Sequence, residues 1–194
     1  MSNTLIFTLS YILGSIPFGL LFVRMAGKGD IRDIGSGNIG TTNVLRTGSK
    51  VLAVSTLFAD ALKGSLAILL ARYYELSELD IALTGGIVVF AHIFPIWLRF
   101  KGGKGVATAL GVYFALDPIL GAMVLGTWII VAKLFRISSL SALVALFMAP
   151  VYTVILTVPV ESTILCIALY VLICWTHREN IRRIMKGEES LIGK

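Results

Sequence analysis

Residues 51–71 read VLAVSTLFADALKGSLAILLA. Only Asp60 and Lys63 interrupt an apolar run that, as a helix rising about 1.5 Å per residue, crosses the ~30 Å of hydrocarbon in a bilayer. A membrane span is therefore predicted here. Outward from it lie further apolar runs at residues 5–23, 81–98, 105–116, 119–132, 140–158 and 164–175. At 194 residues, 57% hydrophobic and 14% charged, the chain has too little polar surface to cover a water-soluble globule. The expected fold is an all-α integral membrane protein with seven transmembrane helices, as a single polytopic domain over residues 1–194. The first run has no basic flank before it and contains Pro17 and Gly19, so it reads as a retained helix and not as a signal peptide. The fourth run is short, reaching only ~18 Å. It must either begin in the glycines before it or end inside the membrane.

Loop charges set the expected orientation. With the N-terminus outside and the C-terminus cytoplasmic, segments 24–50, 99–104, 133–136 and 177–194 face the cytoplasm, and they hold 15 of the 17 Lys and Arg residues. The opposite loops carry Glu75, Glu78, Asp80, Asp117 and Glu161. That asymmetry is the positive-inside pattern. A six-helix rival, fusing runs four and five through Asp117 and Pro118, would place Arg178, Arg182, Arg183 and Lys186 outside. The net charge of +6 sits in short loops and offers no face for nucleic acid. Cys166 and Cys174 share one run and lack CxxC spacing, which makes them apolar filling.

Three polar clusters fall on the predicted cytoplasmic side. The first is GSGNIGTTNVLRTGSK, residues 35–50, glycine-rich, full of hydroxyl and amide donors, and free of carboxylates. Such a loop suits an oxyanion, and Arg46 can grip two phosphate oxygens through its planar fork. The formal GxGxxG of Gly35, Gly37 and Gly40 lacks the strands of a dinucleotide fold. The second is KGGKG, residues 101–105, at the start of run four, where unpaired N–H groups and the helix dipole favour an anion. It is no Walker loop, because Leu98 and Gly105 stand where Gly and Ser or Thr are required. The third is HREN, residues 177–180, which puts His177 and Asn180 on one helical face. Within the spans, Asp60 and Lys63 either neutralise each other or reach a polar cavity, and His92 reads as a packing or hydrogen-bonding residue.

Taken together, SGNIGTTNVLR, FxDxxKG at residues 58–64, KGGKGVATALG and HREN resemble, in order and spacing, the acyl-phosphate-dependent glycerol-3-phosphate acyltransferases of bacterial membranes. The resemblance runs from the first helix to near the C-terminus, loosening in the outer loops and the last dozen residues. It implies transfer of a fatty acyl group from acyl phosphate to the 1-hydroxyl of glycerol 3-phosphate, giving lysophosphatidic acid and phosphate. It also implies a soluble partner that makes acyl phosphate, and a bacterial inner-membrane location with the active site facing the cytoplasm. The HxxxxD pattern of thioester-using acyltransferases is absent.

On that resemblance Lys101, Gly102, Gly103, Lys104 and Gly105 bind glycerol 3-phosphate, while Arg46, Ser36 and Asn43 meet substrate phosphate groups. His177 and Asn180 orient the attacking hydroxyl, and Glu179, Asp60 and Lys63 give structural support. The proton goes to His177 or to a substrate phosphate, and acylation of Ser36 is a further route. No metal cluster and no cofactor are expected. The rival from another class is a small transporter or channel for a phosphorylated solute.

Overall fold

The computed structural model describes residues 2–192, and among them all regular structure is helical. The N-terminal run is broken in two. Pro17 lacks an N–H and separates α1 (Asn3–Ser15) from α2 (Phe18–Met25), with a 41° bend between them. A short helix α3 (Thr41–Leu45) precedes α4 (Lys50–Tyr73), which Ser49 caps by accepting from the Leu52 N–H. Ser77 caps α5 (Glu78–Ile93) in the same way, through the Asp80 N–H.

Two helices that the sequence joins only through a dipeptide follow: α6 (Val106–Leu116) and α7 (Pro118–Phe135). Asp117 accepts from the N–H groups of Ile119 and Leu120, and Pro118 occupies the first turn of α7, so the chain stops and restarts here. Runs four and five are therefore two helices and not one fused helix. The glycines before α6 are not helical; the helix is short because it begins only at Val106. Then come α8 (Ser138–Ile155) and α9 (Val160–Thr176), and α10 (Arg178–Met185) turns away from α9 by 66° at His177.

Each apolar run read from the sequence thus corresponds to helix, but not to an equal span. Four segments, α4, Glu78–Leu98, α7 and α8, are each long and apolar enough to cross a membrane. The α1–α2 and α9–α10 pairs qualify only when each bent pair counts as one, and α6 falls short. Against the expected seven, the described residues give four spans, or six with the bent pairs.

The helices associate through small residues, since apolar surface gains little by leaving lipid. A Cβ on Gly64 would overlap the Thr108 carbonyl and one on Gly111 the Ala61 carbonyl, so α4 and α6 meet backbone to backbone. The Ser65 hydroxyl donates to the Gly111 carbonyl at 2.7 Å across that seam. Large apolar side chains such as Phe58, Leu134, Val154 and Val171 are exposed on the outside of the bundle, as suits a surface that meets hydrocarbon. The bundle's core is built from Val88, Ala109, Val112, Leu146 and Leu169.

Candidate active site

The loop between α2 and α3 is organised by one side chain. Asn43 is 3% exposed, and its Nδ2 donates to the carbonyls of Ile31, Ile34 and Asn38 at 2.8–3.0 Å while its Oδ1 accepts from the Ser36 N–H at 3.0 Å. Gly35 and Gly37 take positive φ to follow it round. Asn43 therefore bonds chiefly to its own loop, although it also lines the cavity. The loop lines the cavity with Ser36, Asn38, Gly40, Thr41, Thr42, Asn43 and Arg46, whose Nη2 donates to the Ser190 hydroxyl at 2.7 Å.

The KGGKG loop is also used differently from its sequence reading. The N–H groups of Gly102 and Gly103 donate to the carbonyls of Ile93 and His92 at 3.0 and 3.1 Å, capping the end of α5. Neither glycine lines the cavity, and Lys101 is exposed outside it. The part of this loop that lines the cavity begins one residue later, at Lys104. Gly105 takes φ 88°, and Gly105, Val106 and Ala107 present the opening turn of α6 to the cavity, with no backbone partner for their N–H groups among the described residues. Lys104 reaches into the same space and donates to Asn180 Oδ1. Burial lowers the Lys104 pKa; Glu189 opposes this, and the positive charges of Arg183 and Arg46 reinforce it.

His177 sits in the break between α9 and α10, 3% exposed. Its Nδ1 is 2.9 Å from the Ile173 carbonyl, which can only accept, so the proton of the neutral ring is placed on Nδ1 and Nε2 keeps its lone pair. Asn180 is fixed at both ends, with Lys104 on Oδ1 and Glu189 Oε1 2.5 Å from Nδ2. Glu189 also accepts from Ser139 at 2.8 Å and from Arg183 Nε at 2.6 Å. Burial alone would raise its pKa, but the hydrogen bonds from Asn180, Arg183 and Ser139 outweigh that and hold the carboxyl below its usual range. The sequence reading missed Glu189, and it gave Arg183 no part in the site. Gly187, at φ 71°, turns the tail back so that Glu189 meets Asn180 and Arg183 of α10 at the cavity. Glu179 stays outside, paired with Arg182 at 2.9 Å.

These groups share one cavity of about 300 Å³, at whose back lie Asp60 and His92. Lys63 sits behind them, out of the cavity. One wall is apolar, formed by Leu57, Leu110, Leu125, Trp128 and Ala142, and it leads to a small void between α6, α7 and α8. Ser36 lines the cavity, but its hydroxyl has no hydrogen-bond partner among the described residues and so no base at hand. The arrangement can hold an anion beside an acyl-sized apolar surface, with an imidazole lone pair between them.

Residues 4–187 match the family described as Glycerol-3-phosphate acyltransferase. A protein of that name from Rhodospirillum rubrum is 52% identical over 191 residues, covering 94% of this chain and 88% of the relative. Two crystal structures of PlsY (YgiH), an integral membrane glycerol 3-phosphate acyltransferase, in its glycerol 3-phosphate and lysophosphatidic acid forms, superpose with TM-scores of 0.95 and 0.93 at 36% identity. In both cases the match covers 100% of this chain and 96% of the other.

Proposed function

The chain belongs to the glycerol-3-phosphate acyltransferase family, and on that premise we propose that it moves a fatty acyl group from acyl phosphate to the 1-hydroxyl of glycerol 3-phosphate, yielding lysophosphatidic acid and inorganic phosphate. The observation that carries this reading is the meeting of Lys104, Arg46, His177 and Asn180 in one cavity with an apolar wall.

In this reading Lys104 and the first turn of α6 hold the phosphate of glycerol 3-phosphate. Arg46, beside Ser36, holds the phosphate of the donor. The acyl chain lies along Leu110, Leu125 and Trp128 towards the lipid. His177 Nε2 accepts a hydrogen bond from the 1-hydroxyl, aiming its oxygen at the acyl carbon, and the amide of Asn180 steadies the same group. The C–O bond of the new ester forms as the acyl carbon parts from the donor oxygen. The hydroxyl proton ends on the departing phosphate, directly or through His177. Acyl phosphate is already a mixed anhydride, so positioning and charge neutralisation suffice and no ATP enters.

The excess of Lys and Arg in the loops beside the cavity supports a site facing the cytoplasm of a bacterial inner membrane, the N-terminus outside, with α6 as a seventh, shortened crossing. A soluble enzyme making acyl phosphate supplies the donor from that side. The test is phosphate release by purified protein given glycerol 3-phosphate and acyl phosphate without ATP. Activity with acyl-CoA or acyl carrier protein but not acyl phosphate would refute the donor. Phosphorylated-solute flux in liposomes, without acyl transfer, would refute the reaction.

A further inference from the structure

An aspartate and a histidine in the cavity lining pack with a lysine behind them, and the transfer chemistry above gives none of the three a task. Asp60 and Lys63 stand one turn apart on α4, His92 lies near the end of α5, and all three are 1–4% exposed. Lys63 Nζ is 2.8 Å from Asp60 Oδ1 and 2.8 Å from His92 Nδ1, and it donates to the Ile16 carbonyl at 3.0 Å, at the break before Pro17. An ammonium only donates, so Nδ1 of His92 accepts and the proton of the ring sits on Nε2. That Nε2 edge presses on the glycine loop, for a Cβ on Gly103 would overlap it. The same loop is tied to α5 through the His92 and Ile93 carbonyls. Bulk alone would be supplied better by apolar side chains, since burying charges is costly even when they are paired.

We infer that His92, clamped by Lys63 and Asp60, is a positioning residue: its ring sets the height of residues 102–105 and thereby the place where Lys104 holds its ammonium. This rests on the reading of Lys104 as the anchor for the phosphate of glycerol 3-phosphate. Lys104 directly follows Gly103, so a displaced ring passes its movement to the ammonium across one residue. Gly102 and Gly103 are glycines here for close packing against α5, and not to offer N–H groups to a ligand.

Steady-state kinetics on the full chain in detergent test it, with Gly103→Ala, His92→Ala and the double variant. Gly103→Ala drives a methyl into the ring and raises KM for glycerol 3-phosphate about tenfold, with KM for the acyl donor moving less than about twofold. His92→Ala raises the same KM by a similar factor. In the double variant the methyl enters space that the ring has left, and KM falls about fivefold or more short of the product of the two single effects. Should His92→Ala not survive purification, His92→Asn keeps an acceptor for Lys63 while removing the Nε2 edge, and gives the same rise in KM with kcat retained. An unchanged KM in the His92 variants, or single effects that simply multiply, overturns the inference while the acyl-transfer reading stands. A wild-type protein that releases no phosphate overturns both.

Discussion

The cavity has charged residues at its mouth and at its back, and the two sets are built on opposite plans. At the back, Asp60, Lys63 and His92 sit on rigid helices, with Lys63 Nζ within 3.0 Å of Asp60, His92 and the Ile16 carbonyl. At the mouth, Arg46 and Lys104 come from loops and Arg183 from the short helix α10. Lys104 meets a neutral amide, Arg46 a hydroxyl, and only Arg183 meets a carboxylate. A closed set of charges holds structure, and an open positive surplus waits for an anion. Variants at the back are therefore expected to unfold the protein or shift its loops, while variants at the mouth change kinetics in an intact fold.

The largest effect is expected from Lys63→Met. It leaves the buried Asp60 carboxylate without its counter-ion and the Ile16 carbonyl without its donor, a loss of about 3–5 kcal/mol by analogy with broken buried pairs. Thermal unfolding in detergent measures it, and adding Asp60→Asn recovers part of the stability. A Lys63→Met protein as stable as wild type would break the distinction between the two sets.

His177→Ala comes next, and it acts on turnover instead of stability. Removing the Nε2 acceptor lowers kcat by about 10²-fold, within the range for a positioned acid–base group, while KM for glycerol 3-phosphate changes little. A pure KM effect would move His177 from orienting the hydroxyl to binding phosphate.

Lys104→Met removes one charged hydrogen bond to the phosphate, about 1.5–3 kcal/mol, or roughly ten- to a hundredfold in KM. The Lys104 pKa is held below the usual lysine value of about 10.4, chiefly by burial. Affinity needs the protonated ammonium, so it is complete below the Lys104 pKa and is lost as pH rises through it. The alkaline rise in KM therefore begins earlier than an exposed lysine would allow. In Lys104→Arg the charge persists and the rise moves to higher pH. Identical alkaline limbs in both proteins would assign the titration elsewhere.

The membrane class, the placing of every long helix and the clustering of Arg46, Lys104, His177 and Asn180 were legible in the sequence, because apolar run length and donor-rich loops are local signals. Breaks within runs were not. Pro17 bends the first helix and His177 marks the turn into α10, yet both lie in or beside segments whose composition reads as continuous. Hydrogen bonds that glycines and amides make to their own surroundings are equally invisible, so the sequence did not show Asn43 tying its loop or Gly102 and Gly103 bonding to the end of α5. Glu189 was hidden for a different reason. Its role depends on the positive φ of Gly187 returning the tail to α8 and α10, and only the faint pattern of a glycine two residues before a carboxylate marks it.

Glu179 gives the smallest expected effect and sharpens the comparison from outside the cavity. It stands in the HREN segment between the site residues His177 and Asn180, and its position in the sequence suggested a brace. On α10 it faces away, pairing with Arg182 at 2.9 Å and Arg178 at 4.0 Å, with all three side chains more than half exposed. Solvent-exposed pairs of this kind contribute about 0–1 kcal/mol. Glu179→Gln is accordingly expected to change kcat and KM less than about twofold and to shift stability within that range. A large loss of turnover from this variant would show that α10 conveys surface charge to Asn180, and the boundary between the open cluster and its surroundings would have to be redrawn to include the helix face.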